Sequence, residues 1–265
     1  MILELARQEA IKLFSQRFAW ALPVLVLALQ AASMIVTALR PPETSLDALS
    51  GPQLWADGVG LGLRMSVFLL LVVGAMSFSR EFSLGTAKTM LVLPIPRRHW
   101  LAGKLVALLA LAAALLLAVA LLAAVIVAAT VGWGPVAREG VVLYTTGQAL
   151  AHAAAAVAVT LPLLAPLCAC ALLVGLHFSS SGAAVGVAVL LGLVLETAVN
   201  LLDSGARFVF FQHLPRAILL VGRLGRGLAF QWEPILTWGL GVAAVSFAVF
   251  VAWLAWRLER MDIAQ

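Results

Sequence analysis

Six times along this chain an apolar run reaches the roughly 20 residues that a helix needs to cross a hydrocarbon layer about 30 Å thick. That recurrence leaves few folds open. Of the 265 residues, 63% are hydrophobic and 11% are charged, and the mean hydropathy is +1.08. A water-soluble domain carries about 25% charged residues, because its exterior must be covered with polar groups. The expected fold class is therefore an all-α integral membrane protein with six transmembrane helices. The spans are expected at about 18–39, 59–78, 101–131, 145–176, 183–202 and 235–256, within a single transmembrane domain covering 1–265.

Between and before the spans the chain changes character. In residues 1–17, Leu3, Ala6, Ala10, Leu13 and Phe14 recur with helical period, while Glu4, Arg7, Gln8 and Lys12 fall largely elsewhere, which predicts an amphipathic arm lying along the headgroups. A plain helical extension of the first span is the alternative. Arg40-Pro41-Pro42 ends the first span, and a polar loop with Glu43, Asp47 and Asp57 follows. Arg64 falls near the outer end of the second span, where it could snorkel. Pro162 and Pro166 each remove a backbone hydrogen bond from the fourth span and should bend it. Residues 203–234 form a long last loop in which Phe208, Phe210 and Phe211 precede Arg216, Arg223 and Arg226.

Six spans bring both ends to one side. The arm, the 79–104 stretch and the tail hold ten of the seventeen Lys and Arg residues, against seven on the other side. Basic residues collect on the cytoplasmic side, so both termini are expected there, in a multi-pass protein of the inner (plasma) membrane. The tryptophans agree with the span count: Trp20, Trp100, Trp253 and Trp256 fall at expected inner boundaries and Trp55, Trp133, Trp232 and Trp238 at outer ones.

The same reading excludes several chemistries. The net charge of +5 follows from the inner boundaries, and no basic run interleaved with aromatics suggests a nucleic-acid partner. Gly103-Lys104 lacks both the upstream glycine and the following Ser or Thr of a phosphate-binding loop. No His-Glu-x-x-His pair or Gly-x-Ser-x-Gly elbow occurs, so no catalytic residue, metal site or cofactor is expected. Cys168 and Cys170 read as small buried hydrophobes.

The informative stretch is Ser79–Lys104, which holds five of the seventeen basic residues between two apolar runs. Phe82, Leu84, Met90, Leu91 and Leu93 make a partly apolar helix too short and too polar to span. Pro94 and Pro96 stop it, and Arg97-Arg98-His99-Trp100 marks re-entry at the headgroups. A helix pinned between two spans transmits a push to both; a passive interfacial helix is the other reading.

The pattern Glu81-x3-Gly85-Thr86, Leu91, Pro94, Arg97 and Gly103-Lys104 resembles the signature of ABC-2-type transporter permeases. The wider layout is similar: an arm, six spans, a long last outer loop, and Asp262 after basic residues in the tail. The resemblance implies a permease subunit of an ATP-driven exporter, working as a dimer with a second permease copy or homologue and with separate ABC ATPase subunits that supply the hydrolysis. Residues 79–100 would be the coupling helix, with Glu81, Gly85, Thr86, Pro94, Arg97 and Lys104 carried from the family pattern as its ATPase-facing set. Local chemistry adds Arg80 as an ionic contact, Gly85 at a point of close approach, Pro94 as the stop, and Arg97-Arg98 at the lipid phosphates. The last loop would form short helices dipping into the outer leaflet. Two other classes compete: an ion-coupled secondary carrier, and a membrane assembly factor without transport. No repeat between the halves favours the carrier.

Charged groups at bilayer depth need partners, water or a function. Glu196, Asn200 and Asp203 are spaced i, i+4, i+7 on one helical face. They read either as a polar lining of the path or as partners of arginines in the last loop. His152, near Gln148, reads as a helix contact rather than a ligand.

Overall fold

A computed structural model describes residues 2–14, 17–40, 49–86, 96–138, 141–229 and 231–261. The chain is helical apart from one short hairpin, and six helices are long and apolar enough to cross a membrane. It is a multi-pass membrane protein. Helices are numbered in chain order: α1 (Ile2–Phe14), α2 (Arg17–Ala38), α3 (Gly51–Ser83), α4 (Arg97–Ala129), α5 (Thr146–Leu163), α6 (Ala165–His177), α7 (Ser181–Leu201), α8 (Phe210–His213), α9 (Arg216–Gly225) and α10 (Leu240–Glu259).

Helix α3 is the axis of the bundle. Ser50 caps its start, the hydroxyl accepting from the Gln53 amide at 3.3 Å, and Pro52 sits in the first turn, where a missing N–H costs nothing. Its 33 residues span about 50 Å at about 1.5 Å per residue, so the helix outruns the hydrocarbon layer at both ends. The helix extends beyond the expected span of 59–78 at both ends, where its flanking turns pack against α9 at one end and α4 at the other. Helices α2, α4, α6, α7 and α9 all pack against it, which is why its buried residues lie on every face.

The fourth span is two helices. Pro162 and Pro166 straddle Leu164, whose amide turns back to Leu161 and Thr160, and α6 restarts with Pro166 in its first turn. The loop after α4 holds an antiparallel hairpin, β1 (Val136–Arg138) with β2 (Val141–Tyr144), which no expectation anticipated. A π-helical turn over Ile235–Gly239 leads into α10.

The last loop folds back into the bundle. A 3-10 turn (Asp203–Phe208) and α8 lead into α9, whose Ala217, Ile218, Leu220, Val221 and Leu224 are buried. The Ser50 hydroxyl donates to the Gly225 carbonyl at 2.7 Å, and Arg216 lines a cavity with Gly60 and Arg64. Helix α9 therefore runs antiparallel to the first third of α3, with Gly222 against Ala56, Gly225 against Gln53 and its end at Ser50.

Two of the tryptophans expected at span ends, Trp55 and Trp100, are buried against other helices rather than turned toward lipid. The Trp55 indole donates to the Ala120 carbonyl at 3.1 Å, and Trp100 packs edge-on against Phe78 at 5.1 Å. Both tryptophans serve helix packing. Gln148 closes a capping box with Thr145, and His152, expected to be a helix contact, accepts from the Trp232 indole at 3.3 Å.

Candidate functional site

Two polar clusters stand out, one at the face carrying both chain ends and one in the distal half of the bundle. The first is built by α1, the end of α3 and the start of α4. Lys104 enters the bundle on the first turns of α4 and its side chain is 0% exposed. Its ammonium lies 2.9 Å from Glu9 Oε2 and 3.0 Å from Glu81 Oε1, and donates to the Ser77 carbonyl at 3.0 Å. Phe78 and Trp100 close around it, with ring centroids at 5.1 and 5.5 Å. Lys12 completes the ring of alternating charges, 2.8 Å from Glu9 and 3.2 Å from Glu81.

An ammonium held out of water is tolerated only when its donors are used and its charge is matched, and here both conditions hold. Burial alone would push the Glu9 carboxyl up; Lys104 and Lys12 outweigh that and hold it below the usual carboxylate range. Burial would lower Lys12, but Glu9 and Glu81 raise it above the usual ammonium range. The seat for α1 is made by Gly103: a Cβ there would stand 2.9 Å from the Leu5 Cβ and 3.4 Å from the Ala6 amide nitrogen. The Gly-Lys pair thus has a physical reading within this chain. Glycine lets α1 lie against α4, and the adjacent lysine ties it down.

The residues named from the 79–104 pattern divide into two groups. Glu81, Lys104 and Arg97 face inward. Arg97 donates to the carbonyls of Leu258, Glu259 and Met261 at 2.9–3.0 Å, closing the end of α10 instead of meeting lipid phosphates. Lys104, fully enclosed, presents nothing to another protein. Arg80, Gly85 and Thr86, with Ser83 and Leu84, are exposed. Gly85 has no atom near a Cβ position; its φ of +70° is what calls for glycine, as the residue that ends α3. The expected coupling segment at 79–100 begins differently from the expectation, since Arg80, Glu81 and Phe82 continue α3. Pro94, with Met90, Leu91 and Leu93, lies outside the described residues.

The distal cluster surrounds a cavity of about 550 Å³ between α3, α7 and the α8–α9 turn. Arg64 Nε lies 3.3 Å from Glu196 Oε1, so the partner of Glu196 comes from α3 and not from the last loop. Asn200 donates back to the Glu196 carbonyl at 3.1 Å, and both residues line the cavity with Asp57, Gln212 and Arg216. Asp203 begins the 3-10 turn, and its side chain lies outside the described residues. Sequence reasoning treated Arg64 as a snorkelling residue and missed this pair. The signal was two opposite charges at similar depth on separate spans, which no spacing within one helix reveals. Among the described residues, no group of three His, Cys, Asp or Glu side chains is arranged to hold a metal.

No curated protein matches this chain. Residues 51–264 match the family described as "Protein of unknown function (DUF2705)", a match that takes in both polar clusters except for α1. With most of its length so matched, the chain belongs to the DUF2705 family.

Proposed function

We propose that this protein is the membrane-embedded permease subunit of an ATP-driven ABC exporter, with ATP hydrolysis supplied by a separate ATPase subunit at the cytoplasmic face. The observation that carries the reading is the four-charge cluster of Glu9, Lys12, Glu81 and Lys104. It joins the arm, the end of the second span and the start of the third into one unit at the root of the connection between those spans. A force applied to residues 79–100 would reach α3 and α4 together. Because α3 contacts most of the bundle, movement at one face would be carried to the distal cavity.

In this reading the exposed Arg80, Leu84, Gly85 and Thr86 face the ATPase, while Glu81, Lys104 and Arg97 hold the lever rigid. A second permease copy would complete the transport path, and the Arg64–Glu196 pair and Asn200 would form its polar part. The Arg64 side chain is 67% exposed on the isolated chain, and a charge so placed at bilayer depth needs water or protein beside it.

The test is co-purification of the full chain with candidate ABC ATPase subunits from the same genome, followed by vanadate-sensitive ATP hydrolysis. Arg80→Glu and Gly85→Trp change exposed positions and should weaken the complex or uncouple its hydrolysis. Complexes of unchanged yield and rate with both variants would refute the coupling role.

A further inference from the structure

The four arginines of the last loop are not equivalent. Arg207 stacks over Phe208 and Trp238, at 4.9 and 5.8 Å from the ring centroids. Arg226 lies 4.0 Å from Asp57. Arg216 and Arg223 have no hydrogen-bond or carboxylate partner among the described residues. They sit on α9 at i and i+7 with the exposed Leu219 between them, so the three share one face, turned away from the buried Ala217, Ile218, Val221 and Leu224. That face forms one wall of a cavity of about 540 Å³, closed on the other side by Gln231, Pro234 and Ile235.

Depth makes the pattern informative. Helix α9 lies antiparallel to the first turns of α3, so Arg223 stands near the level where α3 leaves the hydrocarbon layer and Arg216 lies about 10 Å deeper at about 1.5 Å per residue. A guanidinium at hydrocarbon depth is costly unless it meets water or an anion. Two unmatched guanidiniums, one at the boundary and one beneath it, over an apolar floor, match a molecule with an anionic head and a hydrocarbon tail. No acidic residue lines this cavity among the described residues, so an ammonium-bearing headgroup finds no counter-charge there. A free phosphate has no use for Leu219, Leu220 and Ile235.

We propose that the Arg216–Leu219–Arg223 face of α9 binds an anionic phospholipid, its phosphate between the two guanidiniums and a chain along Leu219. This is independent of the transport reading. A lipid wedged here would brace α9 against the segment that enters the π-helical turn at Ile235.

Native mass spectrometry of the detergent-purified full chain tests the site with phosphatidylglycerol, phosphatidylcholine of the same chains, and glycerol phosphate. Phosphatidylglycerol should be retained at least about tenfold better than phosphatidylcholine, because the choline ammonium would sit beside two guanidiniums with no carboxylate among the described lining residues to meet it. Arg216→Gln with Arg223→Gln should abolish the preference, whereas Arg207→Gln, removing an arginine already engaged, should keep it. Leu219→Glu places a carboxylate between the guanidiniums at an exposed position; it should also abolish retention and covers the case that the double variant fails to fold. Equal retention of the two lipids, or unchanged preference in Leu219→Glu, would overturn the proposal. Displacement of the lipid by glycerol phosphate would assign the site to a free organophosphate instead.

Discussion

Lys104→Met is the most discriminating change to the cluster at the terminal face. Methionine nearly fills the volume and keeps the contacts to Phe78 and Trp100, so the perturbation is the lost charge. Glu9 and Glu81, 8% and 13% exposed, would then share Lys12 alone, which is 45% exposed and reaches both from outside. Breaking a buried pair by removing one partner costs about 3–5 kcal/mol. The remaining Lys12 offsets part of that, which places the expected loss near about 3 kcal/mol. Reversible unfolding in mixed detergent micelles measures it, and a double-mutant cycle with Glu9→Gln isolates the coupling. The two changes together should cost less than their sum, because removing both charges leaves fewer unpaired groups. A loss below about 1 kcal/mol, the range of an exposed ion pair, would show that the cluster is open to water and would refute the clasp.

Two further outcomes follow from the same geometry. Glu9 is held below its usual range when folded, so its contribution is present above the ordinary carboxylate value of 4.5 and is lost as pH falls through the lowered folded value; hydrogen exchange in α1 should rise selectively under that acidification, and an unchanged α1 would contradict the pairing. Gly103→Leu cannot be seated without moving α1, since even a Cβ meets Leu5 at 2.9 Å, and should cost about 1–3 kcal/mol and release α1 to limited proteolysis.

The spans were legible because bilayer thickness imposes a length and a composition that local sequence must meet. The broken fourth span was legible for a similar reason, as Pro162 and Pro166 act on their own backbone. What escaped was set by contacts between distant segments. Nothing local separates a tryptophan at a headgroup boundary from one inserted between helices, so Trp55 and Trp100 were read as interfacial. Glu196 and Arg64 lie on different spans, and their pairing depends on how α7 meets α3. The hairpin at Val136–Tyr144 is carried by too few residues for an alternating pattern to register.

The Glu81–Lys104 pair shows why the 79–104 stretch could be noticed while the direction in which its charges face could not. Charged residues in a short connection invite the reading that they face a partner, since water or another protein is the usual company of a charge. Here the connection joins two antiparallel helices whose ends lie side by side, so a carboxylate on the last turns of α3 and an ammonium on the first turns of α4 can meet. That meeting draws Glu9 in from α1 and buries all three, which removes them from any docking surface. On the permease reading, the surface left to a partner is the exposed set Arg80 and Ser83 to Thr86 at the end of α3, where Leu84 is 65% exposed and Gly85 holds a left-handed backbone with open space at its Cβ position. Changes at Arg80 and Gly85 should therefore act on assembly while sparing stability, and changes at Lys104 and Glu9 should act on stability first. Measuring both properties for both sets separates the lever from its contact surface.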